Sequence, residues 1–514
     1  MKNKFKLIKR LESIKSAIEL EDNDIIELHI QKLQTENDEN INKIIETIQN
    51  ELNTTDGYSK ICKVIDDYVY GFKNASLTPH QQEIFDKITK EINNILKNYN
   101  EFELDKNNNF ISLSGSAGVG KTFLTSKLIE YFIKQKYKIL LTTPTHKSLS
   151  VAKYMLNNNN IQVDSRTLQS YLNIKLKEDY LKGTRKFTRQ KNIFEIDLEK
   201  SLDILIVDES SMISNELLKF IEDNLKQNKL KSVLFIGDSY QLPPIDEGEN
   251  GIVKLQKQFK LTKIVRQAKD SYIIRIANEL KKSIKKKKYK SIDKIFDIAK
   301  YPELKIFYNE TEFLKDFTSY SDWSKNIILS FTNQQVDEQN RFLRYQYWQK
   351  NGIFPEDAIL KGEKLIFNES YKNKFTNSEI IEVIEAKKYI DNYIKIHYWQ
   401  CKDKLGRSFL VVEPDDQLKF INYLNDISQK ARIEKDTFER KKLWRHYFAT
   451  KDTYADVKYT FASTIHKSQG STYENVYINL PAIINLITKQ NEALAYRLMY
   501  VAVTRASKDI KVLF

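Results

Sequence analysis

Apolar residues along the chain fall into two rhythms. At 110–113, 139–142, 204–207 and 233–236 they form short unbroken runs with no polar alternation, as in parallel strands buried on both faces. From Leu77 onward these runs are followed by stretches with apolar positions three and four apart, the spacing of amphipathic helices, so an α/β domain is predicted. A second set of runs begins at 327–329 and ends at 476–478 and 511–514, predicting a second α/β domain that closes the chain. Between them, from about Gly362, segments 364–367, 380–384 and 393–399 read as strands of a small β unit. The charged stretch 416–447 follows, with Leu418, Ile421, Leu424 and Ile427 at helical spacing, and predicts a protruding helical arm. Residues 1–75 carry Leu7, Leu11, Ile14 and Ile18, then Ile41, Ile44, Ile48 and Leu52, which predicts a small helical extension. The expected organisation is an extension over 1–75, a first domain over 76–265 and a second over 266–514. An insertion near 175–200 belongs to the first domain and one near 360–456 to the second.

A length of 514 residues exceeds what one hydrophobic core serves. No run of eighteen uncharged apolar residues occurs, and the basic N-terminus lacks the apolar stretch and cleavage site of a signal peptide; no membrane association and a cytoplasmic location are expected. Cys62 and Cys401 stand far apart, which excludes a disulfide framework and an all-cysteine metal cage. The formal charge is +14, while residues 1–75 hold 11 Lys/Arg against 14 Asp/Glu, so the basicity resides in the rest of the chain and suits a polyanion partner.

The most specific chemistry is Gly115-Ser-Ala-Gly118-Val119-Gly120-Lys121-Thr122, a complete phosphate-loop pattern after a predicted strand and before a predicted helix. Its glycines let backbone N–H groups wrap phosphates, the helix N-terminus adds a positive dipole, Lys121 reaches the outer phosphates, and the Thr122 hydroxyl is placed to hold Mg²⁺. Downstream, Asp208-Glu209 ends an apolar strand; Asp208 is the expected second Mg²⁺-side group and Glu209 the group that polarises the attacking water. ATP and Mg²⁺ are the expected cofactors.

Further segments, in order, resemble superfamily 1 helicases of the RecD/Dda-like branch over 77–514. Leu77-Thr-Pro-His-Gln81 resembles the adenine-reading glutamine motif, and Thr142-Thr-Pro144-Thr145-His146-Lys147 a strand-contacting segment. Asp208-Glu-Ser-Ser-Met212 is similar to the acidic box, and Gly237-Asp-Ser-Tyr-Gln241-Leu-Pro-Pro244 to the γ-phosphate sensor. Val265-Arg266-Gln267 resembles the segment that lends an arginine finger, and Phe331-Thr332-Asn333, with Val336 and Asn340, a DNA contact of the second domain. Ser463-Thr464-Ile-His466-Lys467-Ser-Gln469-Gly470 and Tyr500-Val-Ala-Val-Thr504-Arg505-Ala506 resemble the last two boxes. Asp246-Glu-Gly-Glu-Asn250 and the final run 500–514 lean toward the phage Dda type.

The resemblance implies two RecA-like P-loop motor domains, a β-hairpin insertion in the first, and an SH3-like unit with a helical arm in the second. It implies an ATP-dependent DNA helicase moving 5′-to-3′ on single strands and opening forked or tailed duplexes, as a monomer in the cytoplasm, a host's if a phage encodes it. Lys121, Asp208, Glu209, Gln241, Arg266 and Arg505 become the expected catalytic set, with Gln81, Gly115, Gly118, Val119, Gly120, Thr122 and Gly470 as nucleotide contacts. Pro144, Thr145, His146, Lys147, Thr332, Asn333, Thr464, His466 and Lys467 become the expected DNA contacts. A Thr or Asn just after a strand also serves as a helix cap, so those roles compete.

Lys182-Gly183-Thr-Arg-Lys-Phe187-Thr-Arg189, followed by Ile193-Phe194, has hairpin character, and Phe187 is the expected strand-separating wedge, with Phe194 second. Ser378 stands where family members carry the Gly of an Asn-Gly turn, which leaves the turn type open. The run Lys281, Lys282 and Lys285 to Lys288 reads as a solvated basic face, with contact to a nucleic-acid backbone as the alternative. His29, His80, His397 and His446 have no partners at metal-ligand spacing, so no zinc site is expected. Residues 1–75 either pack on the motor or take a protein partner. The competing function is an ATP-switched remodelling protein that grips single strands without processive unwinding; the hairpin and its insertion discriminate, because a switch needs no wedge.

Overall fold

The computed structural model describes residues 76–159, 161–189, 201–244, 251–263, 271–355 and 359–514, together with 10, 11, 13, 14, 23–34, 39–51, 61 and 65 of the N-terminal part. The chain forms two compact units, Met1–Pro79 and His80–Phe514. In the first, helices Asn23–Gln34 and Glu39–Glu51 bury Ile26, Ile30, Leu33, Ile44, Ile45 and Ile48 in one small core with Leu11, Ile14, Ile61 and Ile65.

The larger unit holds two parallel sheets. β1 (Phe110–Gly115), β2 (Ile139–Thr143), β3 (Asp164–Thr167), β6 (Leu202–Val207), β7 (Leu230–Gly237) and β8 (Lys257–Leu261) lie in the order β3-β2-β6-β7-β1-β8. Each neighbouring pair is parallel, and β2 is buried along its whole length, as the unbroken apolar runs require. The second sheet has the order β16 (Ala462–Thr464), β10 (Asn326–Ser330), β17 (Tyr473–Asn479), β18 (Ala506–Leu513), β9 (Lys305–Phe307), again all parallel. Helices Tyr272–Lys286 and Glu492–Thr504 bury Ile273, Ile276, Leu280, Leu498, Met499 and Val503 against Ile327, Leu329, Val476 and Ile478 of this sheet.

Two smaller elements project from this frame. β4 (Ile174–Asp179) and β5 (Thr184–Arg189) form an antiparallel hairpin; the continuation at Ile193 and Phe194 lies outside the described residues. The other is a five-stranded antiparallel sheet, β14 (Ser408–Val412), β13 (Ile396–Asp403), β12 (Ile380–Asp391), β11 (Lys364–Phe367) and β15 (Val457–Tyr459), with helices Gln417–Ile433 and Thr437–Thr453 inserted before β15.

Two local expectations are corrected, and the turn left open at Ser378 is defined. The strand expected at 393–399 begins only at Ile396, because the Asp391 carboxylate accepts the N–H groups of Tyr393 (2.9 Å) and Ile394 (3.1 Å) and Lys395 takes a left-handed φ of 60°, which folds 391–395 into a turn. In Gln417–Ile433 the buried stripe is Phe420, Leu424, Ile427 and Ala431, while Leu418 and Ile421 face solvent. Ser378 carries the left-handed φ (64°) that a glycine would relieve, and its N–H still donates to Phe367 O at 2.8 Å.

Candidate active site and nucleic-acid interface

The phosphate loop leaves β1 at Gly115 and enters helix Lys121–Lys134. Gly118 and Gly120 both sit at φ 79°, a region L side chains resist, and a Cβ on Gly115 would meet Val119 Cγ2 at 2.8 Å. Loop curvature and the glycines are therefore one constraint. Lys121 Nζ donates to Gly115 O (2.5 Å) and Ser116 O (3.3 Å), holding its ammonium over the loop, and the Thr122 side chain is exposed beside it. Gln81 is buried behind the loop and donates to Val119 O at 3.2 Å.

Asp208 and Glu209 lie at the end of β6, which is flanked by β2 and by the sensor strand β7, with the loop strand β1 on the far side of β7. Glu209 N–H donates to Asp208 Oδ1 (2.9 Å), and Glu209 itself is left-handed at φ 52°. Burial, together with the neighbouring Glu209 charge, pushes the Asp208 carboxyl up to about 7, against the pull of Lys121. A Cβ on Gly237, at the end of β7, would come within 2.6 Å of Ser210 Oγ, so this glycine lets the sensor strand close on the acidic box.

The sensor loop joins the two motor sheets. Gln241 is 6 % exposed, and its Oε1 is buried with no hydrogen-bond partner among the described residues. Arg497, on helix Glu492–Thr504, donates through Nη1 to both Ser239 O and Gln241 O at 2.7 Å. One turn on, Tyr500 OH donates to Asp238 Oδ2 (2.6 Å) and accepts Ala117 N–H from the phosphate loop (3.2 Å). Tyr500 therefore ties loop, sensor and second sheet together through one oxygen. Burial and the Asp238 carboxylate drive its hydroxyl well above the usual tyrosine range, so it stays a donor. Arg505, 7 % exposed, donates to Val501 O (3.2 Å), Ser471 O (3.0 Å) and Thr504 Oγ1 (3.2 Å), all within its own motor body. Gly470 is left-handed (φ 72°) and a Cβ there would lie 3.5 Å from Ser148 of the first body. Arg266 lies outside the described residues.

The residues present fit a magnesium nucleotide. Lys121 is held over the loop with no acidic partner among the described residues, Gln241 brings a buried oxygen unsatisfied among those residues, and Asp208 is an acid that a nearby cation would stabilise in its ionised form.

The expected strand contacts gather at two helix starts. Thr145 caps helix His146–Asn158, accepting Ser148 N–H at 3.1 Å, and Thr332 caps Asn333–Lys350 in a capping box with Gln335. Both threonines thus serve as caps, and each cap aims a helix N-terminus, with its free N–H groups, at the C-terminal edge of a parallel sheet. His146 and Asn333 are exposed there, whereas Pro144 is buried. Lys147 reaches across to Tyr473, with Nζ 3.4 Å from the hydroxyl and 5.6 Å from the ring centre. In the second body Thr464 Oγ1 accepts Lys467 N–H (3.3 Å), His466 lies against Phe331 with its ring held neutral by burial, and Lys467 Nζ donates to Asn368 (2.6 Å). Asn340 is a structural lock, pairing with Phe461 and Ala462 backbone, and Val336 is core.

Phe187 departs from its expected place. It is half-buried and packs on the first motor core with Tyr171 and Phe220; the exposed apolar side chains of the hairpin are Leu176, directly across the hairpin from it, and Leu181. The hairpin tip is clamped by helix Thr437–Thr453. Arg185 Nη2 contacts both carboxylate oxygens of Asp452 (2.6 and 2.7 Å) and its guanidinium lies 5.1 Å from the Phe448 ring centre, Tyr180 packs on Phe448, and Arg445 lies over Tyr180. Sequence reasoning missed Tyr500 as a link, Arg497, and Lys281. The first two lay within or beside a recognised box but had no assigned partner; Lys281 was hidden in a lysine run.

Two parallel sheets, one carrying a phosphate loop and the other bonded to that loop and its sensor, define a two-body ATPase motor. Residues 103–296 match an AAA domain model and residues 459–512 a UvrD-like helicase C-terminal domain model. The chain is 25 % identical over 445 residues to the ATP-dependent DNA helicase dda of Enterobacteria phage T4, covering 78 % of this chain and 93 % of that one. It is also 25 % identical over 458 residues to the uncharacterized protein MJ1519 of Methanocaldococcus jannaschii, covering 78 % of this chain but only 36 % of that longer protein. A crystal structure of Bacteroides Pif1 bound to ssDNA overlaps 85 % of this chain and 92 % of its own at a TM-score of 0.46 and 17 % identity. In these matches the chain is similar to superfamily 1 helicases of the RecD/Dda-like group. Among the described residues no helix is long and apolar enough to cross a membrane, and no cluster of three or more His, Cys, Asp or Glu side chains could hold a metal ion.

Proposed function

We propose that the protein is an ATP- and Mg²⁺-dependent DNA helicase that moves 5′-to-3′ along single-stranded DNA as a monomer and separates duplex ahead of it. The observation that carries this reading is the Ala117–Tyr500–Asp238 link, which couples the state of the phosphate loop to the position of the second motor body. In this scheme Lys121 and the loop N–H groups hold the phosphates, Gln81, Val119 and Gly470 border the nucleotide, and Thr122 and Asp208 would hold Mg²⁺, which when bound would supply charge neutralisation at the phosphates. Glu209 orients and polarises the attacking water, Gln241 senses the terminal phosphate, and Arg505 and Arg266 supply planar, permanently charged groups as the bodies close.

DNA phosphates are taken by the two capped helix N-termini and by Lys147, Lys467 and Thr464, on separate bodies, so that grip can alternate as the cleft opens and closes. The clamped hairpin, with Leu176 and Leu181 outward, is the candidate wedge; its bracing favours strand separation over nucleotide-switched remodelling. A forked duplex with a fluorophore on one strand tests this reading: strand release requiring ATP and Mg²⁺ is expected, and hydrolysis without release would favour the remodelling alternative. Whether residues 1–75 recruit a protein partner is answered by comparing unwinding and pull-down with and without them.

A further inference from the structure

Lys281 stands apart from the lysine run to which it belongs. On helix Tyr272–Lys286 the buried face is Ile273, Ile276, Ala277 and Leu280, and position 281, four residues after Ala277, lies on its flank and is half-buried, while Lys282 and Lys285 to Lys288 face solvent. Its Nζ donates to Ser116 Oγ at 2.9 Å, inside the phosphate loop, and lies 5.3 Å from the Tyr240 ring centre in the sensor loop. Ser116 is 4 % exposed, so this contact sits well inside the cleft. Lys121 Nζ donates to the carbonyl of the same residue at 3.3 Å. Two ammonium groups, from helices rooted in different motor bodies, thus converge on residue 116.

No carboxylate among the described residues pairs with the Lys281 ammonium, and burial, with Lys285 and Lys121 nearby, lowers its proton affinity despite the Asp238 charge. A half-buried cation satisfied only by a hydroxyl and a ring, beside a second cation, is unfavourable unless an anion comes between them. The loop's own pattern states which anion that is.

Building on the ATPase reading, we propose that Lys281 is a phosphate-binding residue of the nucleotide site, contributed by the second motor body, and that it clasps the outer phosphates opposite Lys121. It differs from the expected arginine fingers in position and in chemistry: it is a compact point charge already at the loop, and a lysine can lose part of its charge where an arginine cannot. Closure on nucleotide then gains an ion pair that spans the two bodies.

Equilibrium binding of a fluorescent, non-hydrolysable ATP analogue with Mg²⁺ tests this, alongside AMP as a probe that lacks the outer phosphates. Lys281→Ala should weaken the triphosphate tenfold or more and leave AMP binding unchanged; Lys281→Arg should recover part of the loss, and Lys282→Ala, one position away and exposed, should bind as wild type. Unfolding of each variant without nucleotide keeps the result interpretable, since removal of an unpaired cation should not lower the thermal midpoint. Wild-type failure to bind the analogue would refute the ATPase reading itself. Binding by wild type and equal binding by Lys281→Ala, within twofold, would overturn the assignment of Lys281 alone.

Discussion

Replacing Tyr500 with Phe removes one oxygen and keeps a ring that fills the same buried space. That oxygen donates to Asp238 at 2.6 Å and accepts the Ala117 N–H at 3.2 Å, so the substitution leaves a 2 %-exposed carboxylate without one of its donors and a loop N–H without its acceptor. Among the described residues the Asp238 carboxylate then keeps the bond from Tyr240 N–H, at 3.0 Å. A hydrogen bond to a charged group contributes about 1.5–3 kcal/mol, and stranding the buried carboxylate puts the cost toward the upper end. Because the link joins two bodies, that energy should be withdrawn from the coupling between nucleotide and DNA, whose usual size is ~1–3 kcal/mol. The assay is steady-state ATP hydrolysis with and without saturating single strands. Tyr500→Phe should leave the KM for ATP within about threefold and reduce the ratio of stimulated to basal kcat by at least roughly tenfold, since each ~1.4 kcal/mol is a factor of ten. A double-mutant cycle with Asp238→Asn should show non-additivity of the same size. Unchanged stimulation, or strictly additive effects, would refute the idea that this bond transmits the state of the loop.

Other consequences are equally direct. Gly183→Ala places a Cβ about 2.2 Å from the Trp444 ring at a residue with φ 64°, so it should spring the hairpin from its brace; duplex unwinding should fall steeply while strand-stimulated ATPase persists, and loss of both would point to a wider structural role. Phe187→Ala should lower the thermal midpoint, at a cost of roughly 1–3 kcal/mol for a half-buried ring, and leave unwinding per folded molecule intact; selective loss of unwinding would return the wedge to Phe187. At Asp316 burial works to raise the carboxyl, but hydrogen bonds from Lys305 and Tyr477 and the charge of Lys511 outweigh it and hold the carboxyl below its ordinary value. A depressed acid stabilises the fold above its unfolded value, about 3.9, and loses that contribution as pH falls through the folded value. The midpoint of the wild type should therefore drop more steeply below about pH 4 than that of Asp316→Asn, and parallel curves would contradict the pairing.

The features legible in the sequence are those whose chemistry is local. A phosphate loop needs its glycines and lysine adjacent in the chain, and strands buried on both faces need unbroken apolar runs, so the central strands of both sheets and the ATP loop could be placed from spacing, whereas the flanking strands β3, β8, β9 and β16, which lack such runs, could not. Thr145 and Thr332 could be placed but not assigned, because a capping threonine and a phosphate-contacting one occupy the same position after a strand. The half-burial of Phe187 could not be read from the hairpin's alternation, because it depends on packing beside Tyr171 and Phe220 from distant segments. Lys281 was invisible for a similar reason: in a run of lysines only the helix phase, fixed by Ala277 and Leu280, separates the one turned into the cleft from those in water. Links between distant segments, such as Arg497 to the sensor carbonyls, depend on how two bodies meet, which no local pattern encodes.

The central claim is a motor that converts ATP hydrolysis into directed movement along one strand. Single-turnover unwinding of duplexes bearing only a 5′ or only a 3′ single-stranded tail, with DNA and RNA versions of the loading strand, addresses it most directly. The account predicts ATP-dependent strand release from the 5′-tailed DNA and little from the 3′-tailed one. Release from neither tail by protein that hydrolyses ATP on single strands would contradict it.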